Sequence, residues 1–356
     1  MDGDRPVGLA DLESLARDRL PAAALAYLGC GSGDEHTVRW NLDAWPEIRL
    51  APRNLVDVGR IDTGLRLLGQ PLDHPILLAP TAAHRLFHPD GELATLRGAA
   101  DAAALYVQST LGSVVVEEVG EAATSPWWFQ LYVQRDRGFT RELVLRAAEA
   151  GASALVLTVD LPVLGARDAD RRDRTGLAPG ADYVNLRGLE LAPDPAPPER
   201  RVYNPHLDPT VTWDDLEWLR AITPLPLVAK GVLRPDDALR CLDQGVAAII
   251  VSNHGGRALD TVPATAHALP PVVDAVAGRV PVLVDGGIRR GVDVAKALVL
   301  GATAVLVGRP YVWGLAVDGA DGVRHVVDVL RTELEMAMGL LGAPRLADLT
   351  PDLLWR

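Results

Sequence analysis

Apolar and polar positions along this chain fall into eight short apolar runs separated by stretches of helical spacing. The runs are Pro75 to Pro80, Leu105 to Ser109, Trp127 to Val133 and Ala154 to Asp160, then Pro226 to Gly231, Ala248 to His254, Pro281 to Gly287 and Ala304 to Pro310. Between them Gly91 to Ala104, Thr140 to Ala150, Pro235 to Gln244, Ala264 to Val276 and Arg290 to Leu300 repeat apolar residues at three- and four-residue spacing, the pattern of an amphipathic helix. One short apolar run is as compatible with a buried helix segment as with a strand, but eight alternating with helices predict repeated βα units. The expected fold class is α/β, a closed (β/α)8 TIM barrel, with an open doubly wound sheet as the rival.

The remaining segments fit around that barrel. Residues 1–60 carry a helical pattern from Leu9 to Tyr27, followed by Gly29 to Glu35, and are expected to pack as an N-terminal helical cap. The fourth and fifth runs are separated by a long polar, proline-rich stretch, and residues 176–209 are expected to form a mobile loop over the active face. A final helix from about Gly319 to Leu341 would close the barrel, so 75–341 is the barrel within one domain spanning 1–356.

Composition narrows the functions. Apolar residues make up 48% and charged residues 23%, which fits a globular protein, and a net charge of −12 disfavours nucleic acid as a partner. No apolar run approaches the roughly 20 residues that span a bilayer. Two cysteines make no disulfide framework, and the start MDGDRPVGLADLES lacks the regions of a signal peptide, so a cytoplasmic protein with no membrane partner is expected.

The segment Ser252 to Asp260 carries the most chemistry: right after an apolar run it sets His254 and Arg257 three positions apart among glycines. An imidazole accepts a proton near neutral pH and a guanidinium grips a carboxylate through two parallel hydrogen bonds. The pair suits a small acid whose reactive carbon adjoins its carboxylate. Active sites of such barrels lie at the carboxyl ends of the strands, where Tyr132, Thr158, Asp160, Lys230, His254, Asp285 and Arg309 all fall. Near the last two strands, Asp285 to Arg290 and Leu306 to Pro310 offer backbone N–H groups and arginines where barrels hold a phosphate, implying a phosphorylated cofactor. Taken singly, His254 has the alternative of a satisfied core histidine, Asp160 of a turn cap, and Lys230 of a solvated strand end. No histidine or carboxylate spacing points to a metal, and His74, His84 and His88 read as structural.

Together the motifs Pro80-Thr81-Ala82, Gln130-Leu131-Tyr132, Thr158-Val159-Asp160, Gly165 to Arg167, Lys230-Gly231, Ser252 to Asp260, Asp285 to Arg289 and Gly308-Arg309 resemble those of the FMN-dependent 2-hydroxy-acid oxidase and dehydrogenase family, over nearly the full length. The resemblance implies FMN as cofactor and oxidation of an (S)-2-hydroxy acid to the 2-oxo acid. It implies that His254 takes a proton from the substrate with Asp160 stabilising the imidazolium. Arg257 and Arg167 would clamp the carboxylate with help from Tyr27, and Tyr132 would bond the substrate hydroxyl. For the cofactor it implies Pro80, Thr81, the Ala82 backbone, Ser109, Gln130, Thr158, Lys230 and Ser252 around the ring. Asp285 would hold the ribityl chain, and Gly286, Gly287, Arg289, Gly308 and Arg309 the phosphate.

Three positions bear on the expected substrate. Where small-acid oxidases of this family often carry tryptophan, two residues after Ser109, the chain has Leu111; Leu164 stands three before Arg167, and Leu28 follows Tyr27. A smaller wall leaves room for a ring, so the expected acid is aryl, mandelate or 4-hydroxymandelate, with Phe87, Met336 or a loop residue as possible fillers of that space. Relatives that oxidise 4-hydroxymandelate in actinobacterial secondary metabolism are similar in composition and length. Alternatives are a lactate or glycolate oxidase, or a dehydrogenase with another acceptor. Ala82, where relatives that avoid oxygen often carry glycine, favours O2 as acceptor with hydrogen peroxide formed. The family also implies a homotetramer. An FMN barrel for isopentenyl diphosphate isomerisation would not need His254 with Arg257, and a binding protein derived from such a barrel would have lost one of the pair.

Overall fold

The computed structural model describes residues 6–168, 172, 182–191 and 202–355. Eight parallel strands close into a barrel: β3 (Ile76–Leu78), β4 (Tyr106–Ser109), β5 (Trp127–Leu131), β6 (Leu155–Thr158), β7 (Leu227–Val232), β8 (Ala248–Val251), β9 (Val282–Val284) and β10 (Ala304–Val307). Each pairs with the next in sequence, and β10 returns to β3 with Val305 opposite Ile76. The α/β (β/α)8 TIM barrel is therefore the fold. Alternation along each strand divides the apolar residues between two cores. Leu77, Val107, Trp128, Val156, Ile250 and Leu306 fill the barrel interior, while Ile76, Leu78, Tyr106, Phe129 and Leu155 face the helices. Below the barrel, the hairpin of β1 (Leu65–Leu67) and β2 (Gln70–Leu72) packs Leu67 against the interior cluster and plugs its floor.

Six of the strands stop short of the apolar run that predicts them, whereas β4 ends with its run at Ser109 and β7 continues one residue past its run, to Val232. The segment Leu9 to Tyr27 is two helices, α1 (Leu9–Arg19) and α2 (Ala22–Gly29), rather than one. Pro21 has no N–H to donate, and the residue before it is driven extended, as Leu20 is at ψ 142°. The last helix begins at Arg309, directly after β10, and runs to Leu341. Non-helical Asp318 and Gly319, at φ −149° and 56°, break this span in two, and its second part is the helix expected from about Gly319 to Leu341.

Helix α3 (His36–Glu47) has no counterpart in the predicted elements. It packs on the His254–Gly256 turn and on the Thr265–Val276 helix, while α1 packs along the last helix. Residues 6–47 thus cover the active end of the barrel beside strands β8 to β10. Of the expected 176–209 loop, 182–191 and 202–209 reach over the same end, and 176–181 and 192–201 lie outside the described residues. Among the described residues no helix is long and apolar enough to cross a membrane.

Candidate active site

A deep cleft enclosing about 1270 Å³, its open mouth included, sits at the carboxyl ends of the strands. Its wall contains Pro80, Thr81, Ala82, Ser109, Gln130, Thr158, Lys230, Asp285, Gly286, Gly287, Arg289, Gly308 and Arg309, and also Tyr27, Tyr132, Arg167, His254 and Arg257. Asp160 and Ser252 stand one layer behind that wall, each bonded to a residue in it.

His254 is oriented from behind. After β8 the chain enters a turn in which His254, Gly255 and Gly256 all have positive φ, at 59°, 62° and 78°. Asn253 Oδ1 closes the turn by accepting from Gly256 N–H at 3.2 Å, and its amide pairs reciprocally with Asn41 of α3, both bonds at 2.8 Å. His254 Nδ1 lies 2.9 Å from Asp160 Oδ1. Burial works to raise the Asp160 carboxyl, but the His254 ring and Lys230 outweigh it and hold it below its ordinary value. An ionised carboxylate only accepts, so Nδ1 carries a hydrogen and Nε2 is the ring nitrogen left to face the cleft. There Nε2 is 3.4 Å from the Tyr132 hydroxyl. Burial, with Asp160 and Tyr27 nearby, raises the Tyr132 phenol, which keeps its proton.

A polar row runs across the strand ends. Ser109 Oγ donates to Gln130 Oε1 at 3.1 Å, and Gln130 Nε2 donates to Thr158 Oγ1 at 3.0 Å. Next to it Lys230 Nζ donates to Ser252 Oγ at 2.9 Å and pairs with Asp285 Oδ2 at 3.1 Å, while Ser252 Oγ donates to that same Oδ2 at 2.9 Å. Burial alone would lower the Lys230 amine, but Asp285 and Asp160 more than compensate and it stays charged.

Cations crowd the other half of the cleft. Arg257 Nη1 donates to the carbonyls of Tyr27 and Cys30, both at 2.8 Å, and its guanidinium lies 5.1 Å from the centre of the Tyr27 ring. Arg309 donates to the carbonyls of Leu28, Gly255 and Cys30, so it ties the end of α2 to the His254 turn. Burial, with Arg257 and Arg289 alongside, brings Arg309 down to about 9. Burial lowers Arg289 as well, and its guanidinium stacks 4.9 Å from the Trp313 ring.

This arrangement fits a phosphorylated flavin. Lys230, Arg167, Arg257, Arg289 and Arg309 in one cleft of an acidic protein call for anions, which a phosphate and a carboxylate supply. Among the described residues the buried Asp285 Oδ1 has no hydrogen-bond partner, as suits an acceptor for a ribityl hydroxyl. At Gly287, φ is 80° and a Cβ would stand 1.8 Å from the Asn41 carbonyl oxygen, so only glycine brings the backbone past α3 to the cleft.

Some of the wall escapes reading by motif. Leu161, Tyr183 and Asn204 line the cleft, yet the last two come from the segment between strands four and five of the barrel, which has no recognisable spacing. Phe87 is in the wall too, its ring 6.5 Å from that of Tyr27, and Leu111 and Leu164 line the cleft as well. Met336 is 61% exposed on the last helix, which removes it as a filler of the substrate space.

Residues 16–356 match the family model of the FMN-dependent dehydrogenases. The chain is 49% identical over 357 residues to an L-lactate oxidase of a Nostoc species, covering 98% of each chain. It is 46% identical over 359 residues to a peroxisomal (S)-2-hydroxy-acid oxidase of Oryza sativa subsp. japonica, covering 98% of this chain and 96% of the other. Solved structures of mandelate oxidase with (S)-2-phenylpropionate and with benzoyl-formic acid match it with a TM-score of 0.88 at 41% identity, over 97% of both chains. A fold, a cation-rich cleft and relatives that align over almost the whole chain lead to one assignment: the protein belongs to the FMN-dependent dehydrogenase family, and FMN is its cofactor.

Proposed function

We propose that this FMN-dependent 2-hydroxy-acid oxidase takes an aryl (S)-2-hydroxy acid, (S)-mandelate or (S)-4-hydroxymandelate first, and forms the corresponding benzoylformate with O2 reduced to hydrogen peroxide. The observation that carries the aryl reading is the wall of leucines, Leu111, Leu161 and Leu164, in the same cleft as His254, Arg167 and Arg257. Branched side chains there leave a flat apolar space next to the carboxylate clamp, where a ring can be buried. The mandelate oxidase neighbours support it. The L-lactate oxidase relative favours a small aliphatic acid instead, and Phe87, by narrowing the same space, points the same way.

In this reading Arg257 and Arg167 hold the substrate carboxylate, and Tyr27 and Tyr132 add hydrogen bonds to its oxygens. His254 Nε2 takes a proton from the substrate, and Asp160, already bonded at Nδ1, stabilises the imidazolium. Tyr132, adjacent to Nε2, holds the hydroxyl that becomes the carbonyl. Pro80, Thr81, Ala82, Ser109, Gln130 and Thr158 would surround the flavin ring. Asp285, paired to Lys230 through Oδ2, would hold the ribityl chain through Oδ1. The backbone at Gly286, Gly287 and Gly308, with Arg289 and Arg309, would take the phosphate. Bound there, FMN supplies the acceptor for two electrons from the α-carbon. Lys230, fixed and charged, would favour negative charge on a ring bound beside it.

The test mixes purified enzyme anaerobically with (S)-4-hydroxymandelate or (S)-lactate, follows bleaching of the flavin band, then admits air. Faster bleaching by the aryl acid, by about 10-fold or more, is expected from a pocket contact worth ~1–3 kcal/mol. Rapid recolouring with peroxide formed is the expected second phase. Faster bleaching by lactate overturns the aryl reading, and bleaching without recolouring makes the enzyme a dehydrogenase.

A further inference from the structure

His84 follows the cleft-wall residues Ala79 to Ala82 and stands behind them, completely buried. Its ring meets two side chains that are buried as fully: Thr95, on the helix Glu92–Asp101, and Tyr311, in the first turn of the Arg309–Leu341 span. The His84 backbone N–H donates to Glu92 Oε1 at 3.2 Å and the Ala83 N–H to the Leu111 carbonyl at 2.9 Å, which fixes the turn that carries the ring. His84 Nε2 lies 2.5 Å from Thr81 Oγ1, and Nδ1 lies 2.9 Å from Thr95 Oγ1. Thr81 Oγ1 also bonds the Tyr311 hydroxyl, which in turn donates to the Ala79 carbonyl at 2.8 Å.

These contacts leave one assignment of the hydrogens. Burial outweighs the nearby Glu92 and lowers His84, so the ring is neutral and holds a single hydrogen. Burial raises the Tyr311 phenol, which keeps its own. A carbonyl only accepts, so the Tyr311 hydrogen points to Ala79 and the Thr81 hydroxyl donates to the Tyr311 oxygen. That hydrogen is then spent, so His84 Nε2–H donates to Thr81 Oγ1 and Nδ1 accepts from the Thr95 hydroxyl. The bonds run one way, from Thr95 through His84, Thr81 and Tyr311 to Ala79. They join the segment after β3 to the segment after β10, where a Cβ on Gly308 would stand 4.0 Å from Thr81 Cγ2.

We propose that His84 is a positioning residue for the flavin: donating from Nε2 through Thr81 and Tyr311, it locks the Ala79 to Ala82 backbone against the Gly308 turn, so that the ring side and the phosphate side of the cofactor site keep one spacing. This rests on the flavin placement given above, with the ring against Pro80, Thr81 and Ala82. A buried chain of this kind is costly when one link is removed, because the remaining groups are left unpaired and the backbone they hold is freed.

The test compares His84→Leu, which removes the donor while filling the space, with His84→Gln, whose amide N–H can take the place of Nε2–H. In His84→Leu the flavin band should shift and FMN should bind apoprotein about 10-fold more weakly. The limiting rate of anaerobic flavin reduction, by whichever of (S)-mandelate and (S)-lactate is faster, should fall at least about 10-fold, with the substrate dissociation constant from the same traces moving less than about twofold. His84→Gln should return band, affinity and rate to within about threefold of wild type. Tyr311→Phe removes a later link, and added to His84→Leu it should cost little more than His84→Leu alone, as for groups acting in one chain. A folded His84→Leu protein with the band, FMN affinity and limiting rate of wild type overturns the proposal, as does a Gln variant impaired as much as the Leu variant. If His84→Leu does not fold, Tyr311→Phe alone decides by the same readouts. Ala82→Val checks the flavin placement itself: an unchanged band and FMN affinity there overturn the placement and the proposal with it, whereas a perturbed Ala82→Val beside an inert His84→Leu overturns the role of His84 alone.

Discussion

His254 is held at φ 59°, a left-handed conformation that side chains with a Cβ rarely adopt, and the two glycines after it continue the same hand. Strain of this kind persists only where surroundings over-determine it, and here Asp160, Ser252 and the Asn253–Asn41 amide pair do so. His254→Ala should leave a folded, yellow protein whose flavin is reduced at least about 10²-fold more slowly by the substrate, the usual worth of a positioned base. Anaerobic stopped-flow reduction measures this, and wild-type rates in the variant would remove His254 from the chemistry. The Ser252 to Asp260 motif makes this histidine legible in the sequence. The contacts that aim it do not show there, because Asp160 lies 94 residues from His254 and Asn41 lies 212 residues from its partner Asn253. The same holds for Arg257, whose Nη1 bonds the carbonyls of Tyr27 and Cys30 at separations of 230 and 227 residues.

At the scale of elements, strands β3 to β10 are legible because a strand buried on both faces is a continuous apolar run. Helix α3 is not, because one of its buried positions is Asn41, a polar residue that breaks the apolar stripe and is satisfied by Asn253 and by the Thr265 N–H, both far away in sequence. The segment 202–208 is equally silent in sequence, since it is held by backbone bonds and by Asp208, which pairs with Arg137 at 2.6 Å and accepts from Thr210 N–H at 2.9 Å and Thr210 Oγ1 at 2.7 Å. Burial works to raise the Asp208 carboxyl, but Thr210 and Arg137 prevail and hold it below its ordinary value. A depressed carboxyl stabilises the fold above its unfolded value, about 3.9, and loses that stabilisation as pH falls through the lower folded value. Asp208→Asn should therefore cost about 1–2 kcal/mol at pH 7 and progressively less below pH ~4. Denaturant titrations of both proteins at the two pH values decide it, and a deficit independent of pH would show that the charge is irrelevant.

Across the whole molecule the cleft draws on nearly every strand: Ala79 follows β3, Ser109 ends β4, Gln130 is in β5, Thr158 ends β6, Lys230 is in β7, and Asp285 and Gly308 follow β9 and β10. Helices α2 and α3 reach the same place through Arg309, Arg257 and Asn41. We propose that cap, barrel and last helix unfold as one domain, because no part of this cleft survives the loss of another. A ligand that binds only the folded chain then stabilises all of it, by about 2.7 kcal/mol at 100 times its dissociation constant. The apoprotein carries an added cost, since Arg257, Arg289 and Arg309 repel one another when no anion lies between them. Removing FMN should lower the midpoint of a single denaturation transition, titrating FMN back should raise it by that amount, and inorganic phosphate should recover part of the shift by screening the arginines alone. Two separate transitions, of which FMN moves only one, would mean that the cap or last helix folds independently of the barrel. A midpoint that FMN leaves unchanged would mean that the cation cluster is not where the phosphate binds.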